Sequence, residues 1–195
     1  MGNQAIKAKY PAAKIYGHPR MIAQIEAGEG DNWLDVMLNL TEGATVGTQV
    51  VAPGHAVDDA DVITAAGLHF HVMHNDKAHT DTDIMLLVKE LGVIYLGDNA
   101  GFGRILRLQH GSFRGNVEAL NNALKSGAKV FVPGHGKTGD AQVASRYRDY
   151  LKTLYSTVEQ GYKNGKEDFE IRPDLLPKLK PWQDWSGFAE ELGGH

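Results

Sequence analysis

Two apolar runs, Asp83–Val88 and Val93–Leu96, stand four residues apart across Lys89-Glu90-Leu91-Gly92, and no other feature constrains the fold as much. Four residues are too few for a crossover connection, so the runs pair as an antiparallel hairpin. Each run is apolar at successive positions rather than alternate ones, which requires cover on both faces and a central place in a sheet. Helix-spaced patterns fill the last third of the chain, so the expected class is mixed α/β.

The other elements follow local signals. Residues 2–9 read as a short polar helix closed by Pro11, and Lys14–Tyr16 as a brief strand. Pro19 opens a second helix that Gly28 stops, while residues 29–43 show no assignable period. Val46–Ala52 reads as a strand before a Pro53-Gly54 turn, and Leu68–Met73 as another with His69 and His71 on its more polar face. Asn116 caps a helix that Gly127 ends, and Lys129–Val132 is a strand leading into Pro133-Gly134-His135-Gly136. Asp140 opens a long helix with Val143, Tyr147, Leu151, Leu154 and Val158 in one stripe. The final stretch, 166–195, carries Pro173, Pro177, Pro181, Trp182 and Trp185. It reads as an extended segment whose tryptophans dock on the domain formed by 1–165.

Composition narrows the chemistry. With 195 residues, one main domain is expected. A net charge of -4 without a Lys/Arg stripe points away from nucleic acid, and no apolar run reaches the ~20 residues that span a bilayer. There is no Cys, so any transition-metal site must use carboxylates and some of the 9 His.

Three strings place a ligand type at a strand end: His79 before Asp83–Val88, Asp98 after Val93–Leu96, and His135 after Lys129–Val132. In the hairpin the start of one strand lies beside the end of the other, so His79 and Asp98 share a sheet edge. A third strand running parallel to Val93–Leu96 brings His135 to the same edge. Two imidazoles and a carboxylate there suit Zn, Fe or Mn, and the neighbouring glycines allow close backbone approach.

These strings, AHTDTDIMLLV (78–88), VIYLGDN (93–99) and VFVPGHG (130–136), with the FRGNVEALNNAL helix between the last two, resemble the metallo-β-lactamase-fold hydrolases. The resemblance covers residues 2 to about 165. It implies an αββα sandwich with a long C-terminal helix and an extended tail, two zinc ions in an intact relative, and hydrolysis of an ester, thioester or lactam in a small molecule. By position, His79 would bind the first metal, Asp98 would bridge both and serve catalysis, and His135 would bind the second. Asp81 and Asp83 brace the His79 loop behind the ligands.

The family's first motif, His-x-His-x-Asp-His, would fall just before Gly2, so the resemblance describes an N-terminally truncated domain with half its ligands. His69-Phe70-His71-Val72-Met73-His74 imitates that spacing, with Met73 where the carboxylate belongs. A thioether replaces that carboxylate poorly. His18 reads as a solvated loop residue, and His110 as a neighbour of substrate at most. Weak metal binding and low turnover are expected of the chain as written, because catalytic zinc sites use three protein ligands. The alternative is a non-catalytic binding or dimerisation module in which a second copy covers the exposed sheet. The sequence leaves the compartment open between cytoplasm and, with an upstream signal, periplasm.

Overall fold

In the computed structural model, which describes residues 2–193, the chain divides into two units, Met1–Asp58 and Asp59–His195. Sequence composition shows no boundary at that point.

In the first unit, α1 (Asn3–Lys9) is followed by β1 (Tyr16–Gly17), α2 (Pro19–Gln24), α3 (Gly30–Leu40) and β2 (His55–Ala56). His18 is the N-cap of α2, with Nδ1 accepting the Arg20 N–H at 3.3 Å and Pro19 in the first turn. Gly28 kinks the chain at φ 104° instead of ending the helix, and α3 follows at once. This helix fills the stretch that lacks a readable period. Val46–Ala52 is not a strand. The Gln49 N–H donates to Gln4 Oε1 and Asn3 Nδ2 donates to the Val51 carbonyl, so side chains of α1 take the groups a ladder would use. Pro53-Gly54 leads into β2, which pairs in parallel with β1.

The second unit is a five-stranded sheet ordered β3 (Val62–Ala65), β4 (Leu68–His74), β5 (Ile84–Val88), β6 (Val93–Phe102) and β7 (Val130–Gly136). The hairpin of β5 and β6 forms with Leu86 opposite Tyr95 and Val88 opposite Val93. Its neighbour β4 is antiparallel to β5, whereas β7 is parallel to β6. The parallel pair is joined through α4 (Phe113–Lys125), as parallel strands require.

Met85, Leu87, Ile94, Leu96 and Phe131 are buried in one cluster with Ala119, Leu120 and Ala123 of α4. The same cluster includes Val143, Tyr147 and Leu151 of α5 (Gln142–Lys163). Burying each large aliphatic side chain contributes about 1.5–3 kcal/mol, so this helix-on-sheet layer is the framework of the unit. The opposite sheet face is less uniformly buried than the doubly apolar runs imply, since Tyr95 and Val130 are exposed.

Two readings are corrected here. Ser112, not Asn116, is the N-cap of α4: its hydroxyl accepts the Gly115 N–H at 3.1 Å. Asn116 lies inside the helix and is buried. The tail is helical rather than extended, with α6 spanning Asp168–Leu179 through Pro173 and Pro177. Reciprocal hydrogen bonds between Glu167 and Glu170 start it, a capping box that offsets the donors the prolines lack. Both Trp182 and Trp185 are buried. Among the described residues, no helix is long and apolar enough to cross a membrane.

Candidate functional site

Asp98 owes its position to an irregular ladder. Tyr95 pairs with Val132 and Gly97 with Pro133, but the next partner of β7 is Gly101, opposite His135. Residues 98–100 thus stand opposite Gly134 alone, two residues more than the ladder needs, and such a bulge re-aims side chains. Gly97 accommodates it at φ 54°, in the left-handed region. The Asp98 carboxylate then lies directly over Gly134, where a Cβ would overlap Asp98 Oδ1 and stand 2.7 Å from the Gly97 carbonyl oxygen. Only glycine leaves this cradle open. His135 follows, its Nε2 3.4 Å from Asp98 Oδ1, and both side chains are 44% exposed. An imidazole nitrogen and a carboxylate oxygen at that separation, open to solvent, form a donor pair that a cation can share.

His79 sits in the turn before β5. Its Nδ1 is buried and has no hydrogen-bond partner among the described residues. An orphaned imidazole nitrogen is rare inside proteins, and a metal ligand is one role that accounts for it. The turn is braced by Asp83, whose Oδ2 accepts the Thr80 N–H at 2.6 Å and also the Thr80 hydroxyl. Thr82 is buried, and its N–H donates to Thr80 Oγ1 at 3.1 Å. Asp81 is half-buried in the same turn. Within this unit, His79, Asp98 and His135 do not bring three ligand atoms within 4.8 Å of one another. The structure therefore brings Asp98 and His135 together and holds His79 in a separate turn at the same sheet edge.

Below the site, Tyr147 is fully buried, and its ring stacks on Trp185 with centroids 6.4 Å apart. Burial raises its hydroxyl well above the ordinary tyrosine range, with Tyr150 and the Asp98 charge adding to the effect. The hydroxyl approaches the Leu106 backbone without completing a hydrogen bond of ordinary geometry.

The remaining histidines divide clearly. His69 is exposed and its Nδ1 lies 2.5 Å from Glu90 Oε1, while His74 Nδ1 lies 2.8 Å from the Asp83 carbonyl oxygen. His110 is exposed beside Gln109. His18 differs from its solvated expectation: it is 3% exposed, with Nε2 3.4 Å from Asp58 Oδ1 in the first unit. Sequence reasoning missed this His–carboxylate pair because its members lie 40 positions apart and no local signal brings them together.

No family model matches the sequence, and no curated protein matches it. Solved structures do. A metallo-β-lactamase from Pontibacter korlensis is similar with a TM-score of 0.56 at 13% identity, over 77% of this chain and 62% of that one. The DIM-1 metallo-β-lactamase is similar with a TM-score of 0.53 at 15% identity, over 78% and 63%. VMB-1 gives 0.54 at 13%, over 78% and 62%. The chain thus spans under two thirds of the length of these structures.

Proposed function

From a chain with the metallo-β-lactamase fold, we propose a metal-dependent hydrolase that uses zinc to cleave an ester, thioester or lactam in a small molecule. The observation that carries this reading is the Asp98–His135 pair over the Gly134 cradle, where β6 and β7 run side by side. Zinc, when bound, polarises the scissile group and makes water a nucleophile near neutral pH. Asp98 and His135 would hold the metal and His79 would supply its imidazole from the neighbouring turn. As a half-exposed carboxylate, Asp98 is also able to accept a hydrogen bond from the attacking water and orient it. Asp83 keeps the His79 turn closed through Thr80, and Asp81 would brace the same turn.

These residues alone give a weak site, since two converging protein ligands rarely hold Zn²⁺ tightly. Equilibrium dialysis against zinc, with hydrolysis of generic ester and lactam substrates, tests the reading. The chain is compared with Asp98→Ala, with His135→Ala, and with a version extended upstream by a His-x-His-x-Asp-His segment. Weak binding lost in both variants and strengthened in the extended form is expected. Equal binding in wild type and Asp98→Ala would sink the proposal.

A second reading, a non-catalytic module, is favoured by the exposed Tyr95 and Val130 on the sheet face away from α4 and α5. A second copy covering that face would appear as a dimer in light scattering, and Tyr95→Lys would return it to monomer.

A further inference from the structure

The peptide unit joining Ala78 to His79 is held at both of its polar groups by different elements. Its carbonyl accepts the Ser112 N–H at 2.8 Å, at the start of α4. Its N–H, that of His79, donates to Asn99 Oδ1 at 3.2 Å. Asn99 is the residue after Asp98, and it is buried in β6. Its Nδ2 donates to the Leu96 carbonyl at 3.2 Å, across the bulge that aims Asp98. Its own carbonyl accepts Asn116 Nδ2 at 3.2 Å. Asn116 is itself buried, and its Oδ1 has no hydrogen-bond partner among the described residues. Its amide therefore stays in the helix with one donor satisfied and one acceptor unpaid.

The packing leaves no slack around this network. A Cβ on Gly111 would overlap the carbonyl oxygens of Ala78 and His79, and one on Gly115 would overlap that of Lys77. The His79 turn is pressed against the α4 start at two glycines, with Asn99 between that turn and Asp98. A buried amide with its oxygen and nitrogen both engaged has one orientation, so it transmits position rather than merely filling space.

We propose that Asn99 is a positioning residue that registers His79 to Asp98, with Asn116 holding Asn99 in place. The metal arm of its test rests on the hydrolase reading above. Asn99 touches neither substrate nor metal in this role; it acts through the backbone of one ligand and the bulge of the other. The same register makes the two donor positions a unit even without a third ligand between them.

The test uses the full chain, with Co²⁺ alone as the metal probe and amide hydrogen exchange of the metal-free protein as the second readout. Asn99→Ala should weaken Co²⁺ binding about tenfold, alter its visible absorption bands, and speed exchange at the His79 N–H about tenfold relative to Ile94. Asn99→Asp keeps the acceptor oxygen and should retain the His79 protection. Leu120→Ala, a core truncation in α4, should lower global stability yet leave the His79-to-Ile94 exchange ratio and the Co²⁺ bands unchanged. Absence of Co²⁺ binding by the wild type would overturn the metal reading, and the exchange ratio would still decide the role of Asn99. An unchanged ratio in Asn99→Ala overturns the proposal, whatever the metal result.

Discussion

The His79 turn and the Asp98–His135 pair lie at one sheet edge and are built in opposite ways. The Ala78–His79 peptide is engaged at both of its polar groups, through Ser112 and Asn99, and Asp83 holds the Thr80 N–H beside it. Asp98 and His135 have each other and are 44% exposed. One donor is fixed by the fold, and the other two stay adjustable. A site assembled this way would be positioned by the turn and completed by the pair, because holding one donor still lowers the ordering cost of the rest.

The largest effects should come from filling the glycine contacts that make the turn stiff. Gly115→Ala would gain up to ~1 kcal/mol of helix propensity. The overlap with the Lys77 carbonyl should outweigh that gain, for a net loss of about 1–3 kcal/mol in urea unfolding. Gly134→Ala tests the one stiff point under the pair. A similar loss, with Asp98 and His135 driven apart in a crystal structure, is expected from the Gly97 and Asp98 overlaps.

Asp83→Ala comes next, since it removes a charged acceptor from two Thr80 donors. It should cost about 1.5–3 kcal/mol if the turn is as closed as its hydrogen bonds indicate. A cost near zero would erase the contrast between the two regions. Asp98→Ala and His135→Ala should each stay within about 0.5 kcal/mol in unfolding, because both side chains are half exposed. Their effect should appear in zinc dialysis instead.

The smallest effect lies at the other end of the sheet. Glu90 is held below its ordinary carboxyl range, first by its own backbone N–H and then by the His69 side chain. A lowered folded-state value means its contribution is present above the unfolded value and lost as pH falls through the folded one. A carboxyl titration followed by NMR should show Glu90 below its ordinary range, and His69→Ala should move it part of the way back.

How much was legible in the sequence depended on whether the signal was local. The β5–β6 hairpin was readable because its two apolar runs and short connection leave one solution. That Asp98 and His135 come near one another followed from that hairpin and one parallel neighbour, although both lie within longer strands, Val93–Phe102 and Val130–Gly136, rather than after them. The bulge over 98–100 was not readable, since nothing in Gly97-Asp98-Asn99 tells a turn from an interrupted ladder. Asn99 carried no signal and Asn116 looked like a helix cap, yet both are buried amides with partners 17–20 positions away. The helix of 30–40 was hidden by two glycines at its start, Gly28 and Gly30. In the tail, three prolines concealed a helix that its capping box begins.

The parallel pairing of β6 with β7 also sets an order in time. The hairpin contacts, including His79 with Asn99, close over about 20 residues and belong to the fast, local part of folding. Asp98 meets His135 only after α4 has crossed and packed, a longer loop to close before any contact rewards it. The start of α4, which holds the His79 turn through Ser112 and Asn99 through Asn116, comes before β7 in the chain, so the adjustable pair would be completed last. Metal added at the start of refolding should leave the early phase unchanged and act only on the last one.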